Sequence, residues 1–359
     1  MVALFVAVGL GLVPMSTVYA AKKSDANSNS TSRTKQTLAA GKKKQDAPPT
    51  LRRAAAKPAV AAKANKAPAA KKAPAVKKAS LVRAVVPAAG VRPHEDRLLD
   101  VKSGAALVIE QGGGGALFEK NATAIVPIAS ITKLMTAMVV LDGSPDLEAR
   151  VTVSEEDVDY LRGSRSRLQV GASMTRETAL LLALMSSENR AAHALARHYP
   201  GGVSAFLAAM NGKAHSLGMT DTRFEDPTGL TSNNVSTAHD LAKMVAAAYR
   251  YPLIREFSTT PGAAVEIAGR QLEFHNTNPL VKSTAWDVGL SKTGYINEAG
   301  KCLVMQARVA DRPVVIVLLD SVGKLTRVGD ANRIKRWMET THASRGGVRA
   351  QQASFEPRG

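Results

Sequence analysis

Cysteine and aromatic residues are scarce in this chain. It has one cysteine, Cys302, among 359 residues, and 4% of its residues are aromatic. A single cysteine excludes a disulfide within the chain, even in an oxidising compartment. Because Cys302 lies in an apolar run, we predict that it is a buried core residue rather than a reactive thiol.

Motifs for metal and phosphate chemistry are also missing. His193 and His198 lie close together without a carboxylate motif of the metalloprotease type. The glycine run at 112–115 is followed by no lysine and opens no predicted helix, so it is not a phosphate-binding loop. The sequence therefore predicts no metal site and no cofactor.

The apolar run at the start of the sequence is too short to span a bilayer, which takes about 20 residues. Residues 2–13 are almost wholly apolar, and 18–20 (VYA) carry small residues at the positions that a signal peptidase reads. We predict that residues 1–20 are a secretory signal peptide cleaved after Ala20, and that the mature protein is periplasmic. No Lys or Arg precedes the run, and this usual feature of such a signal is missing.

Acidic residues are nearly absent from residues 21–90, which carry 17 Lys and Arg against two Asp. Lys, Ala and Pro dominate the segment, which cannot bury enough apolar surface to offset its ordering entropy. We therefore predict that residues 21–90 are disordered. The whole chain has a formal net charge of +18, so this segment supplies most of that charge and the remainder is nearly neutral.

Two kinds of partner suit such a basic segment. Lysines bind nucleic-acid phosphates without sequence preference. However, residues 21–90 have no aromatic side chains for base stacking, the rest of the chain is not basic, and an export signal points away from nucleic acid. We therefore disfavour nucleic acid and predict an extended tether that can contact anionic membrane lipids or wall polymers.

The folded domain is predicted at 91–343, followed by a disordered polar tail at 344–359. Apolar patterns and turn residues predict strands at 98–110, 116–119, 288–295, 302–310 and 314–319, and a hairpin at 265–274 that turns at Gly269-Arg270. Helical patterns lie between them, with a helix capped by Thr175 and helices at 203–217, 237–249 and 333–341. This order indicates an α/β (α+β) fold, in which N- and C-terminal strands share one antiparallel sheet flanked by helices, with a helical subdomain.

Ser130 and Lys133 lie at a predicted helix start. Residues three apart share a helix face, so Ser130 Oγ and Lys133 Nζ can come within hydrogen-bond reach. A lysine with its ordinary pKa of about 10.4 is protonated, but burial among the apolar residues of 134–139 lowers that pKa. We interpret the pair as a nucleophile and its base. The S-x-x-K pattern also occurs at Ser32/Lys35 and Ser321/Lys324, so alone it is not specific.

Two later motifs supply partners for this pair. Ser187 and Asn189 interrupt a helical stretch, which can present a proton relay and an amide-binding side chain to a cleft, although a helix-capping turn gives the same pattern. Lys292, Thr293 and Gly294 fall on a predicted strand. A cation and a hydroxyl next to a glycine, which has no side chain to block close approach, are suited to binding the anionic end of an extended peptide.

The order S-x-x-K, S-x-N, K-T-G resembles the penicillin-recognising serine D,D-peptidases, which have the β-lactamase-like fold. More narrowly, residues 92–341 resemble the low-molecular-mass penicillin-binding proteins of the D-alanyl-D-alanine carboxypeptidase/endopeptidase group. The further segments that carry this resemblance are 128–137 (IASITKLMTA), 224–230 (FEDPTGL), 236–242 (STAHDLA), 275–280 (HNTNPL) and 292–304.

The resemblance implies catalytic roles for three residues. Ser130 would form an acyl-enzyme, Lys133 would take its proton, and Ser187 would pass that proton to the departing amine. With Lys292 nearby as a second cation, like-charge repulsion is expected to join burial in keeping Lys133 neutral.

The resemblance also implies how peptidoglycan peptide stems bind. Asn189 would bind the peptide, Lys292 and Thr293 would hold the substrate carboxylate, and Gly294 would allow close approach. The backbone N–H groups of the nucleophile and of Tyr295 would form the oxyanion hole. β-Lactam antibiotics would act as covalent inhibitors at the same serine.

Three functions are consistent with these residues. The short polar ending favours an endopeptidase that cuts D-Ala–diaminopimelate cross-links over a D-alanyl-D-alanine carboxypeptidase of the same fold. A β-lactamase is disfavoured because Glu225 is followed by Asp226-Pro227-Thr228 and not by the deacylation pattern E-x-x-L-N. A basic-tailed nucleic-acid or wall-polymer binding protein with an inactive site is the alternative of another class.

Overall fold

A computed structural model describes residues 99–112 and 115–353, with side chains described as far as residue 341. The predicted signal peptide at 1–20, the basic segment at 21–90 and the last six residues of the predicted tail lie outside the described residues. Within the described part, no helix combines the length and the apolar character needed to cross a membrane.

A five-stranded antiparallel sheet forms the centre of the described chain. Its strands are β1 (Ala105–Glu110), β2 (Ala116–Lys120), β9 (Asp287–Ile296), β10 (Gly300–Val309) and β11 (Arg312–Ser321), in the order β2-β1-β11-β10-β9. Short turns join β9 to β10 and β10 to β11, while β1 pairs with β11 from the far end of the chain. The N- and C-terminal strands therefore share one sheet, and the predicted α/β (α+β) fold is confirmed.

Helices and short hairpins fill the interval between the two groups of strands. The helices are α1 (Lys133–Asp142), α2 (Arg176–Met185), α3 (Asn189–Arg197), α4 (Gly202–Ser216), α5 (Ala238–Ala248) and α6 (Pro252–Thr259). The short strands pair as β3 (Val126–Pro127) with β6 (Val235–Ser236), β4 (Arg150–Thr152) with β5 (Ser173–Thr175), and β7 (Gly262–Ile267) with β8 (Arg270–His275). Thr175 caps α2 as predicted, because its side chain accepts a hydrogen bond from the Thr178 N–H.

Both faces of the sheet are buried. Along β11, Val315 and Val317 face the core shared with the helical block, while Ile316 and Leu318 face the core beneath the C-terminal helix α7 (Thr326–Ala353). Successive side chains of a strand point to opposite faces, so a run of apolar residues is what a strand between two helical layers requires.

The helices differ from the sequence prediction at two places. Helix α7 begins at Thr326 and continues to Ala353, so the backbone of residues 344–353 is helical where we predicted a disordered tail. The polar composition that suggested a tail contains Ala, Arg and Gln, which are good helix formers, and has no proline before Pro357. Helix α6 was not predicted, although Pro252 stands at its first position, where proline is favoured.

Asp330 on α7 joins this helix by hydrogen bonds to the segment before β1. Its buried carboxylate accepts hydrogen bonds from the backbone N–H groups of Lys102 (2.9 Å) and Ser103 (2.7 Å), and from Ser103 Oγ (2.6 Å). Arg333, one turn later, pairs with Oδ1, the oxygen that also accepts the Lys102 N–H.

We expect Asp330→Ala to lower the free energy of unfolding by about 3 kcal/mol, because it leaves buried donors unsatisfied. Urea denaturation would measure the change. Asp287→Ala is the matched control: Asp287 pairs with Arg308 at 3.8 Å but is 72% exposed, so its loss is expected to cost less than about 1 kcal/mol. Equal losses for the two variants would contradict a structural role for the buried carboxylate.

Candidate active site

Ser130 lies in a single 3-10 turn, Ala129–Thr132, that leads directly into α1. Residues three apart eclipse one another in a 3-10 helix, so Ser130 and Lys133 face the same way. Ala129 has a φ of 48°, which an alanine adopts only at a cost in strain. The backbone immediately before the serine is therefore held in an unfavourable conformation by its surroundings.

Two glycines lie in close contact with the backbone of this turn. A Cβ on Gly229 would lie 2.0 Å from the Ala129 carbonyl oxygen, and a Cβ on Gly294 would lie 2.8 Å from the Ile128 oxygen. Gly229 also has a φ of 83°. Both positions require glycine, because any side chain would push apart the loops that surround the serine.

Lys133 is fully buried and its Nζ has three oxygen partners. These are Ser130 Oγ at 2.8 Å, Asn189 Oδ1 at 2.7 Å and the Thr228 carbonyl oxygen at 2.7 Å. The amide and carbonyl oxygens only accept hydrogen bonds, whereas a hydroxyl can also donate. A neutral amine therefore directs its two N–H groups at Asn189 and Thr228, and its lone pair at the Ser130 hydroxyl proton.

The pKa of Lys133 agrees with this arrangement. Burial lowers the pKa of the ammonium to about 7, against the weaker raising effects of Asp226 and Glu188. Near neutral pH a substantial fraction of Lys133 is thus uncharged. The free base is available without any further conformational change.

Lys292 is the second buried lysine. Its Nζ lies 2.9 Å from Ser187 Oγ and 3.0 Å from the Thr293 carbonyl oxygen. Burial lowers the pKa of Lys292 well below its usual value, and the positive charges of Lys133 and Arg327 lower it further. The repulsion that we expected between the two lysines therefore acts on the pKa of Lys292, while the pKa of Lys133 is lowered by burial.

Ser187 and Asn189 lie at the junction between α2 and α3. Ser187 has a φ of 63°, so the backbone turns sharply and aims its side chain at Lys292. The Asn189 amide donates from Nδ2 to Ser164 Oγ at 3.0 Å and accepts from Lys133 at 2.7 Å. Asn189 therefore holds Lys133 in position, in addition to the peptide-binding role that the sequence predicts.

These residues surround a cleft of about 470 Å³. Of the predicted site residues, six line it: Ser130, Ser187, Asn189, Thr293, Gly294 and Tyr295. The two lysines lie behind the cleft wall and reach it through serine hydroxyls, Lys133 through Ser130 and Lys292 through Ser187. The structure thus brings all eight predicted residues to one place from three separate parts of the chain.

The cleft is also lined by residues to which the sequence motifs assigned no role. Its other lining residues are Arg162, Ser164, Gly229, Leu230, Thr277, Ile296, Asn297 and Arg327. Thr277 Oγ1 accepts a hydrogen bond from Thr293 Oγ1 at 2.6 Å, and Arg327 donates to the Gly294 carbonyl at 3.0 Å. Ile296 ends β9, Arg327 lies on α7, and the others lie in loops. Several of them fall within the segments that carry the family resemblance, but no feature of the sequence assigned any of them to the cleft.

The loop that supplies the Thr228 carbonyl is built around Asp226. Its carboxylate accepts hydrogen bonds from the N–H groups of Gly229 (2.6 Å) and Thr231 (2.8 Å) and from Thr228 Oγ1 (2.6 Å). The Asp-Pro-Thr-Gly sequence is a turn signal that could have located this loop, although it could not show that the loop reaches Lys133.

Among the residues that the structure describes, no group of three or more His, Cys, Asp or Glu side chains is placed to hold a metal ion. His193 instead lies against buried Asp157, with its Nδ1 at 2.7 Å from the carboxylate. Arg197 also donates to Asp157, and these partners hold the pKa of that carboxyl at about 2 despite its burial.

Comparison with known proteins identifies the family of this chain. The profile of the D-alanyl-D-alanine carboxypeptidase family matches residues 90–323. The chain is 49% identical to a D-alanyl-D-alanine endopeptidase of Pseudomonas aeruginosa and 45% identical to one of Escherichia coli, in each case over 67% of this chain and 78% of the relative. A solved Streptomyces DD-transpeptidase, 29% identical, superposes with a TM-score of 0.62 over 66% of this chain and 97% of its own. This chain therefore belongs to the D-alanyl-D-alanine carboxypeptidase family of serine peptidases, S11.

Proposed function

We infer that this protein is a D,D-endopeptidase that hydrolyses D-Ala–diaminopimelate cross-links in peptidoglycan through an acyl-enzyme on Ser130. The observation that carries the chemistry is the short contact between Ser130 Oγ and the Nζ of a buried lysine whose pKa is about 7. The endopeptidase assignment is supported by the relatives of 49% and 45% identity, both named D-alanyl-D-alanine endopeptidase.

Acylation begins with transfer of the Ser130 hydroxyl proton to Lys133. The resulting alkoxide attacks the carbonyl carbon of the D-Ala that is joined to diaminopimelate. We assign the oxyanion hole to the backbone N–H groups of Ser130 and Tyr295. Tyr295 is on β9, the edge strand of the sheet, and a Cβ on neighbouring Gly294 would lie only 3.1 Å from the Ser130 nitrogen, so this part of β9 packs closely against the turn that carries the serine.

The departing amine needs a proton, which Ser187 is placed to deliver. Ser187 lines the cleft, and its Oγ is hydrogen-bonded to Lys292 at 2.9 Å. The Ser187 hydroxyl gives its proton to the amine and is reprotonated by the proton that Lys133 took from Ser130, while Lys292 holds the hydroxyl in place. Thr293, paired with Thr277, holds the carboxylate of the leaving D-amino acid at the same end of the cleft.

Water completes the reaction by releasing the acyl group from Ser130. Glu225 does not line the cleft, because its carboxylate pairs with Arg223 and accepts a hydrogen bond from Asn233 at 2.6 Å. It is therefore not placed to activate a deacylating water on a penicillin adduct. We propose that β-lactams form long-lived adducts at Ser130, and that the protein is penicillin-sensitive rather than a β-lactamase.

The substrate lies outside the cytoplasmic membrane, which agrees with the periplasmic location predicted from residues 1–20. The predicted contact of residues 21–90 with anionic lipids or wall polymers is a separate proposal. Binding of the full chain to vesicles with and without anionic lipid would test it.

Purified protein, incubated with a cross-linked tetrapeptide dimer, is expected to release tetrapeptide monomers. With a monomeric pentapeptide we expect free D-alanine at a lower kcat/KM. Mass spectrometry of the products measures both reactions side by side. Rapid D-alanine release with the cross-link left intact would favour the carboxypeptidase alternative.

A further inference from the structure

A second cleft of about 530 Å³ lies beside the active site. It is lined by Arg165, Ser166, Arg167, Ser186, Glu188, Phe274 and His275. Three segments of the chain border both clefts. Ser164, Ser187 and Thr277 line the first cleft. Their near neighbours in the sequence, Arg165, Ser186, Glu188 and His275, line the second. The two clefts therefore lie next to each other across these shared segments, and they are named the catalytic cleft and the flanking cleft.

The flanking cleft adjoins the Ser187–Thr277 end of the catalytic cleft. The Thr277 N–H donates to the Met185 carbonyl at 3.1 Å, which joins the loop after β8 to the end of α2. Under the proposed function, Ser187 gives its proton to the departing amine and Thr293, bonded to Thr277, holds the leaving carboxylate. The leaving side of the substrate is thus directed toward the flanking cleft.

The flanking cleft offers positive charge on its outer wall. Arg167 stacks over the Phe274 ring, with its guanidinium carbon 5.2 Å from the ring centroid, and donates to the Glu273 carbonyl. Glu188 accepts a hydrogen bond from Ser166 at 2.7 Å. Arg165 is exposed, and no hydrogen bond or ion pair joins it to another residue in the described part of the chain. Arg165 is thus a cation at the mouth of the cleft, and no described residue pairs with it.

We propose that the flanking cleft is the subsite for the carboxylate-bearing peptide strand on the leaving side of the cross-link, and that Arg165 selects cross-linked over monomeric substrate. This inference rests on the proposed endopeptidase function. In a monomeric stem the leaving group is a single D-alanine, which ends at Thr293. In a cross-linked dimer the leaving residue belongs to a second acidic stem, whose remaining carboxylates extend past Thr277 toward Arg165.

The test compares Arg165→Gln with the wild-type protein on three ligands. For the cross-linked dimer, we expect kcat/KM to fall about fivefold, the effect of losing one exposed ion pair, mainly through a higher KM. For the monomeric pentapeptide and for acylation by a fluorescent penicillin, which have no second stem, we expect changes below about twofold. Arg165→Lys should restore most of the dimer activity, because it keeps the charge.

The controls separate this subsite from the proposed function. Arg308→Gln removes an exposed arginine of β10 that lines neither cleft and is expected to match wild type on all three ligands. A wild-type protein that leaves the dimer intact would overturn the proposed function and this inference with it. A wild-type protein that cleaves the dimer, with Arg165→Gln cleaving it equally well, would overturn the subsite alone. A dimer whose second stem is amidated should be cleaved equally by both proteins.

Discussion

Replacing Ser130 by alanine is expected to abolish covalent labelling by a fluorescent penicillin and to lower dimer hydrolysis by at least about 10⁴-fold. The Ser130 hydroxyl is the nucleophile, and Lys133, with its Nζ at 2.8 Å, has no other hydroxyl among its three partners. Without the Oγ atom no acyl-enzyme forms. Labelling is read on a denaturing gel, where only a covalent adduct survives.

The chain provides a matched control for this variant. Ser321 and Lys324 carry the same S-x-x-K pattern, but Ser321 is buried at the end of β11, where its Oγ lies 2.7 Å from Ser103 Oγ. Ser321→Ala should label like wild type, since it removes a hydroxyl that does not line the cleft. Persistent labelling of Ser130→Ala would mean that another residue is acylated, and the assignment of the nucleophile would then be wrong.

The sequence predicted the fold because its strands carry strong local signals. Along β9 to β11, apolar runs are separated by turn residues such as Asn297 and Gly300, and the structure places strands there within one or two residues of the predicted ends. The end of helix α7 was harder, because residues 344–353 carry no apolar stripe, and a polar helix and a polar tail have similar compositions. The link from Asp330 to the segment before β1 could not be predicted either, because its partners lie more than 200 residues earlier.

In the site, too, contacts between residues close in the sequence could be predicted, whereas contacts between distant residues could not. Ser130 and Lys133 lie three residues apart, so their contact could be predicted from helical geometry. The Thr228 carbonyl lies 95 residues from Lys133 along the chain and carries no side-chain signature, yet it is one of the two acceptors that favour a neutral amine. Arg165 lies in a loop of mixed polarity, where composition does not indicate which cleft the loop will border.

Lys133 is expected to make acylation strongly dependent on pH. With its pKa lowered to about 7, the neutral base predominates above that pH, and the ammonium predominates below it. The second-order rate of penicillin acylation should therefore fall about tenfold for each pH unit below 6 and level off above pH 8. Stopped-flow measurements at constant ionic strength between about pH 5 and pH 8.5 would give the profile. A rate that does not change across this range would show that Lys133 is not the base.

Lys133→Arg tests the same role without removing the charge. A guanidinium is not deprotonated in proteins and has no lone pair for the Ser130 proton, so we expect acylation at pH 7.5 to fall by at least about 10³-fold. Lys282→Arg, at an exposed position after β8, is the control and should leave the rate unchanged. Because arginine is larger than the buried site, Lys133→Met provides a second variant that fits the apolar surroundings. If Lys133→Met folds with an unchanged melting temperature yet acylates at the wild-type rate, the proton must leave Ser130 by another route.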